Sequence, residues 1–338
     1  GYSYEHTTIE GFSFTHMSGV GWYGDLGNFL VTPTLGKLQT NRGNPAQPET
    51  GYRSRFSHET EVARAGYYAA TLADYNIRAE MSAAPRAGIL RFTFPANKQA
   101  RIQIDLSRRV GGTSTEQFVQ VVDEHTISGW MKCPPAGGGW GNGDGKADYT
   151  VYFSCQFSKP LKRHGIWSAD IPEGGSRKRQ AIESEAYQAI VAAAPVVYGQ
   201  TQAQGQHLGF FTEFETAADE VVLVKSGISF VNIEGAQSNL QHDIPHWEFD
   251  AVVDASRSLW TAAVGKLKAE GGTDDDHTKF YTAMYHTMID PRAVSDVNGN
   301  YIGADGNIHQ ADGFVYRSVF SGWDVFRSQF PLQTLINP

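Results

Sequence analysis

The sequence feature that most constrains the fold is a series of short segments, rich in β-branched and aromatic residues, that fills residues 1–235. Gly, Pro and Asn separate the segments, and we expect no helix between them. Strands at this spacing predict an antiparallel β-sandwich. The predicted strands are Phe29–Thr32, Gly66–Leu72, Ile77–Ala83, Ile89–Phe94, Arg101–Leu106, Phe118–Asp123, Tyr149–Phe157, His207–Phe214 and Val221–Phe230.

From Ala236 the pattern changes to a helical period. Residues 249–267 repeat apolar side chains at helical spacing up to Gly271-Gly272, which predicts one helix. Residues 278–289 predict a second helix, which Asp290-Pro291 ends. The sequence therefore predicts an α+β chain with three parts. These are a β-sandwich domain at 1–235, a helical linker at 236–272 and the start of an α-helical domain at 273–338.

Two tight-turn signals, Asn298-Gly299 and Asp305-Gly306, predict a small hairpin after the second helix. Helix is expected again from Tyr316 onward. Within it, the segment 320–331 places three aromatic residues on one stripe: Trp323, Phe326 and Phe330. Asp324 and Arg327 stand three residues apart on an adjoining face. They form either a surface ion pair on a buried helix or, with Trp323, a polar pocket suited to a sugar.

Charge and hydropathy exclude two classes of partner. The net charge of −8 gives no basic surface for nucleic acid, so a nucleic-acid partner is not expected. No apolar run approaches the ~20 residues that a membrane-spanning helix needs, so no membrane span is expected. Cys133 and Cys155 flank a glycine-rich loop, and they are either a disulfide or two buried thiols.

Two motifs suggest metal ligands, and neither predicts a metal site. His242 and His246 have the spacing of a zinc pair, but Pro245 between them breaks the helix that such a pair requires. The loop at 142–148 has oxygen ligands at calcium-like spacing but lacks the terminal bidentate glutamate.

The glycine-rich stretch at 11–28 is the strongest candidate for a binding loop. Its five glycines in 18 residues are costly in regular structure and are tolerated where a backbone turns sharply or approaches a ligand. The side chains of His16 and Trp22 offer a hydrogen-bonding group and a stacking plane. The alternative is a plain connection between strands with the Trp packed on the core.

Motifs in one order along nearly the whole chain resemble glycoside hydrolase family 92, the calcium-dependent exo-α-mannosidases. The stretch 11–21 resembles the family's GFS-x-THLSGTG signature, and 56–68 resembles its FSH-x-x-E-x-A…GYY element. The strands at 149–157 and 227–230 resemble YTVYF and GISF. Residues 280–287 resemble FYTALYHT, and 323–332 resemble WDTFR…PL.

The resemblance implies a sandwich followed by an (α/α)6 catalytic barrel, with the active site in the cleft between them. It implies that Trp323, Asp324 and Arg327 bind the terminal mannose. It also implies that the loop carrying His16, Gly21 and Trp22 shapes the leaving-group side. Position 22 is Trp where α-1,2-specific members tend to carry Cys, which leaves the linkage open.

The implied reaction is inverting hydrolysis of terminal α-mannosyl residues of glycans, such as N-glycans, with calcium as cofactor. An acid and a base on opposite faces of the sugar characterise that mechanism. The resemblance places the acid, the base and the calcium ligands beyond Pro338, so none is assigned within this chain.

The resemblance further implies a chain truncated at both ends. The expected partner is then the rest of the polypeptide or its cleaved second chain, and the fragment alone would be inactive. A secreted, periplasmic or cell-surface location is expected. The alternatives are a non-catalytic carbohydrate-binding protein, or another hydrolase or phosphorylase with a sandwich and a helical barrel.

Overall fold

The computed structural model describes residues 3–15, 26–138, 148–318 and 325–337, and most of its strands belong to two large antiparallel sheets. The nine-stranded sheet contains β5 (Val62–Arg64), β6 (Tyr67–Leu72), β7 (Ile77–Ala83), β8 (Ala87–Phe94), β12 (Glu116–Val121), β13 (Thr126–Cys133), β14 (Tyr149–Phe157), β17 (Gln202–Gly205) and β19 (Glu220–Ser229), in the spatial order β17-β12-β13-β14-β19-β8-β7-β6-β5. The six-stranded sheet contains β2 (Phe12–Ser13), β3 (Leu30–Leu35), β9 (Asn97–Asp105), β15 (Arg163–Ser168), β16 (Val196–Tyr198) and β18 (Leu208–Thr216), in the order β16-β15-β18-β9-β3-β2. Three small sheets pair β1 (Thr8–Ile9) with β4 (Ser54–Arg55), β10 (Arg108–Arg109) with β11 (Gly112–Thr113), and β20 (Asn300–Ile302) with β21 (Ile308–Gln310).

The two large sheets face each other across one apolar core. Phe153 and Phe157 contribute from the nine-stranded sheet, and Ile104 and Phe210 from the six-stranded sheet. The rings of Phe157 and Phe210 meet across the layers, with 6.2 Å between their centroids. Full burial of such side chains stabilises the fold by about 1.5–3 kcal/mol each. The predicted antiparallel β-sandwich is confirmed, and β7 and β14 have the predicted bounds.

Two short helices, α1 (Arg179–Ile182) and α2 (Glu185–Ala192), lie within the sandwich region. The expectation that this region lacks helices was therefore wrong. Ser184 caps α2 by accepting a hydrogen bond from the Tyr187 amide at 3.3 Å. Tyr187 and Val191, one turn apart, then pack with Trp167 on the outer face of the six-stranded sheet.

The outer face of the nine-stranded sheet is covered by α3 (Ile233–Asp243) and α4 (Phe249–Val264). Leu240 and Phe249 pack there against Ile89. The next helix, α5 (Asp274–Ile289), begins four residues before its predicted start because Thr273 and Asp276 form a capping box. Helices thus occupy the predicted linker, and the domain boundaries at 235 and 272 stay predictions.

The C-terminal part departs from the predicted helix. The predicted hairpin is present as β20 and β21, but residues 316–318 are extended, with Ala293 opposite Arg317. Residues 326–328 form a turn, and the last helix, α6 (Gln329–Ile336), begins after it. Phe326 and Phe330 therefore do not share one helical stripe. Backbone pairing with 292–294 outweighs the helical pattern at 316–318.

Both cysteines are free and buried. Cys133 lies opposite Tyr149, and Cys155 lies opposite Ile127, so the thiols sit at opposite ends of the β13–β14 ladder. The disulfide interpretation is wrong because this register separates the two sulfur atoms.

Candidate substrate-binding site

Most of the predicted sugar-binding residues lie outside the described residues. This holds for His16, Gly21 and Trp22 in the N-terminal loop, and for Trp323 and Asp324. Arg327 is described and exposed, with its guanidinium 5.2 Å from the centre of the Phe326 ring. The structure therefore describes this candidate site only through the residues that flank these two segments.

The two ends of the segment 16–25 are joined by hydrogen bonds. The amide of Gly27 donates to the Thr15 carbonyl at 2.9 Å, and the amide of Asn28 donates to the Thr15 hydroxyl at 2.8 Å. Leu26 and Phe29 have left-handed φ values of 62° and 55°. A non-glycine residue in this region costs about 1–3 kcal/mol and persists only where its surroundings enforce it. The loop thus leaves the sandwich from a fixed and strained base.

Tyr149 and Asn28 attach this base to the nine-stranded sheet. The Tyr149 hydroxyl, at the start of β14, accepts from the Leu26 amide at 2.7 Å and donates to the Asn28 carboxamide oxygen at 3.3 Å. The Asn28 amide group donates to the Arg108 carbonyl at 2.8 Å. Since Asn28 directly precedes the β3 region of the other sheet, the loop base is held by both layers of the sandwich.

A second glycine-rich segment leaves the fold beside the first. Its first end is fixed to Arg109, which is fully buried, donates to the Pro134 carbonyl at 2.8 Å and lies 5.3 Å from the Tyr149 ring centre. Gly138 forms an isolated bridge with Gly112. The segment ends just before Tyr149, and residues 139–147 lie outside the described residues. Sequence reasoning missed this proximity.

A partly buried carboxylate, Glu10, fixes the strand that leads into the first loop. Three arginines surround it: Arg108 at 2.9 Å, Arg42 at 3.7 Å and Arg53 in a direct hydrogen bond. Burial by itself would raise the pKa of Glu10, but the three guanidinium groups hold that pKa well below its usual range. The carboxylate is therefore charged at all physiological pH values.

Gly11, next to Glu10, tolerates no side chain. A Cβ at this position would lie 2.2 Å from the Thr32 hydroxyl and 2.8 Å from the Val31 carbonyl, and its φ of 156° is unfavourable for other residues. The first glycine of the signature is therefore explained by close packing on β3, not by contact with a ligand.

The segment that contains Trp323 and Asp324 follows, in the sequence, the extended pairing described above. The amide of Val294 donates to the Tyr316 carbonyl at 3.0 Å, and that of Ser318 donates to the Arg292 carbonyl at 2.9 Å. The Tyr316 ring stacks on Tyr301 of the hairpin at 3.9 Å. These contacts fix the chain up to residue 318.

The described part of the chain contains no group of three or more His, Cys, Asp or Glu side chains placed to hold a metal ion. Among the same residues, no helix combines the length and apolar character that a membrane crossing requires.

Family models match nearly the whole chain. The model of the glycosyl hydrolase family 92 N-terminal domain matches residues 1–229, and that of the family's catalytic domain matches residues 235–338. The chain belongs to glycosyl hydrolase family 92.

Solved family 92 enzymes share the fold. An α-mannosidase of the family from Bacteroides thetaiotaomicron is 32% identical, with a TM-score of 0.83 over 98% of this chain, and it was also solved with mannoimidazole bound. An inverting mannosidase from the same organism, 22% identical, has a TM-score of 0.76 over 98% of this chain and supports the fold alone.

A curated relative from Arthroderma benhamiae, described as an uncharacterized secreted glycosidase, is 25% identical over 320 residues, or 88% of this chain. The chain spans 37% of that protein and 41% of the first α-mannosidase. The chain is thus a part of a family 92 protein, and its fold is shared with family 92 α-mannosidases.

Proposed function

We propose that this chain forms the sandwich and the first part of the catalytic domain of an exo-acting, calcium-dependent α-mannosidase that inverts the anomeric centre. The observation that carries the proposal is the 32% identity to an α-mannosidase over 98% of the chain. That identity includes both regions matched by the family models.

In this proposal the terminal mannose is bound by Trp323, Asp324 and Arg327. The indole stacks on the sugar ring, the carboxylate accepts hydrogen bonds from hydroxyl groups, and the guanidinium donates them. The segment carrying His16, Gly21 and Trp22 lies on the leaving-group side. Its base, anchored to both sheets through Asn28 and Tyr149, supports a binding role because a loop that selects a substrate needs a rigid attachment.

The reaction requires an acid, a base and calcium ligands, and none of these is assigned to a residue of this chain. An inverting glycosidase uses one carboxylic acid to protonate the leaving oxygen and one carboxylate to activate water, about 6.5–9.5 Å apart. We place both, together with the calcium ligands, in the part of the protein beyond Pro338. Secretion or exposure at the cell surface is proposed on the same basis, supported by the secreted relative.

The proposal is tested by the substrate range of the full-length protein. We expect hydrolysis of aryl α-mannosides and α-mannobioses, with little hydrolysis of aryl β-mannosides or α-glucosides. A chelator should abolish the activity, and added calcium should restore it. Binding of mannosides without turnover would instead indicate a carbohydrate-binding protein. Turnover that is unaffected by chelator would contradict the calcium dependence.

A further inference from the structure

Asp296 is a buried carboxylate at the junction between the sandwich and the hairpin. Its side chain is 3% exposed. It accepts hydrogen bonds from the Ser229 hydroxyl, at the end of β19, and from the Asn239 amide group, on α3, each at 2.8 Å. One side chain thus connects a sandwich strand, a linker helix and the segment that leads into β20.

The two donors are themselves fixed in place. The Asn239 amide group also donates to the Ile228 carbonyl at 2.8 Å, and its oxygen accepts from the Val297 amide at 2.8 Å. The Ser229 hydroxyl accepts from the Val231 amide at 2.9 Å. Both side chains are 1% exposed. The network is therefore directional and closed to solvent.

The backbone of α3 lies directly against the carboxylate. A Cβ on Gly235 would come within 2.1 Å of the Asp296 Oδ2 atom and 2.8 Å of the Ser229 hydroxyl oxygen. A side chain at position 235 would therefore displace the Asp296 carboxylate from its place against the helix. The close approach fixes the distance between the linker helix and the segment at 295–297.

Contacts continue from Asp296 to the proposed sugar-binding segment. The Asp296 amide donates to the Asn300 carbonyl at 2.8 Å, which holds the turn into β20. Two residues before Asp296, Val294 begins the extended pairing with 316–318. The chain enters the stretch that carries Trp323 and Asp324 immediately after Ser318. The position of Asp296 therefore sets the starting point of that stretch relative to the sandwich.

A carboxylate is a costly choice for this position. Its two side-chain donors are neutral, and burial raises the pKa of Asp296 above its ordinary value, although these donors and the charge of Arg86 act in the opposite direction. An apolar contact would hold the elements together without this desolvation cost, but it would not fix their orientation. Directional hydrogen bonds do fix orientation.

We propose that Asp296 is a positioning residue that holds the paired segments 292–294 and 316–318 in place against the sandwich, and that mannoside turnover depends on this placement. This inference rests on the proposed mannosidase function. It gives the stretch 295–299 a role in substrate binding in addition to its contribution to stability.

The test compares Asp296→Asn with Asp305→Asn in the full-length protein. Asparagine at 296 places an amide donor against the donor group of Asn239 or Ser229. Misplacement of binding groups by about 1 Å can cost ~10²-fold, so we expect kcat/KM for α-mannosides to fall by about 10- to 100-fold, partly through KM. Asp305 is an exposed carboxylate in the same hairpin that contacts only its turn and His309 in the described residues, and its variant should stay within about twofold of the parent protein.

Hydrogen exchange supplies a second readout that does not depend on activity. In Asp296→Asn, peptides covering 292–297 and 316–318 should exchange faster, while peptides from β8 and β14 should keep the parent rate. If Asp296→Asn does not fold, kcat/KM and hydrogen exchange are measured on Ser229→Ala instead. This variant removes one of the two hydrogen-bond donors to the Asp296 carboxylate.

The proposal requires that Asp296→Asn both lowers kcat/KM and speeds hydrogen exchange at 292–297 and 316–318. Parent-like kcat/KM per folded molecule would overturn it, even with a lower melting temperature, because Asp296 would then be only structural. Unchanged exchange at 316–318 would overturn it as well. A full-length parent protein that hydrolyses no mannoside would refute the proposed function, while the exchange data would still show whether Asp296 anchors the segment.

Discussion

Asp324→Asn in the full-length protein is expected to lower kcat/KM for α-mannosides by ~10²-fold or more, while the melting temperature changes little. A hydrogen bond to a charged group contributes about 1.5–3 kcal/mol, and each 1.36 kcal/mol corresponds to a tenfold change in rate. If the Asp324 carboxylate accepts hydrogen bonds from two sugar hydroxyls, its replacement by asparagine weakens both interactions. Steady-state kinetics and thermal denaturation on the same preparations measure the two quantities.

The matched control is Asp312→Asn, the same substitution at an exposed position outside the proposed site. It should leave both the kinetics and the melting temperature at parent values. If Asp324→Asn instead lowered the melting temperature strongly and kept a normal rate per folded molecule, Asp324 and Arg327 would be an ordinary structural ion pair.

Glu10→Gln is expected to destabilise the full-length protein by about 3–5 kcal/mol, the typical cost of removing one partner from a buried ion pair. Gln would leave the guanidinium groups of Arg42, Arg53 and Arg108 without their shared carboxylate in a buried site. The control is Glu116→Gln. The Glu116–Lys132 pair is solvent-exposed, and its loss should cost less than about 1 kcal/mol. Thermal denaturation compares the two variants.

The effect of Glu10→Gln should depend on pH in a defined direction. The folded-state pKa of Glu10 is depressed below its ordinary value of 4.5, so the carboxylate stabilises the fold above the unfolded-state pKa. That contribution is lost as the pH falls through the folded-state pKa. The difference in melting temperature between parent and variant should therefore be constant near pH 7 and shrink as the pH falls below about 4. A difference that grew on acidification would contradict the assignment of charge to Glu10.

The local sequence pattern was sufficient to predict most strands of the sandwich. Alternating β-branched and aromatic residues gave strands such as Ile77–Ala83 and Tyr149–Phe157, because a half-buried strand has a period of two. The same reasoning missed α2, whose buried side chains are Tyr187 and Val191. Two residues one turn apart are too weak a signal without the sheet that they cover.

The anchors of the candidate site could not be predicted from pattern. Tyr149 and Asn28 are 121 residues apart, and Asp296 is 67 residues from Ser229. Such contacts arise from the arrangement of the sheets and helices, and no local period encodes them. The extended conformation at 316–318 was missed for the same reason, since its partner strand lies more than 20 residues earlier.

The most direct test of the central claim is the configuration of the sugar that the full-length protein releases first. Proton NMR can follow an α-mannoside during the first minutes of hydrolysis, before the product anomers equilibrate. The inverting mechanism predicts that β-mannose appears first and that α-mannose accumulates only by later mutarotation. Initial release of α-mannose would contradict an inverting enzyme, and the absence of any released mannose would contradict the proposed α-mannosidase function.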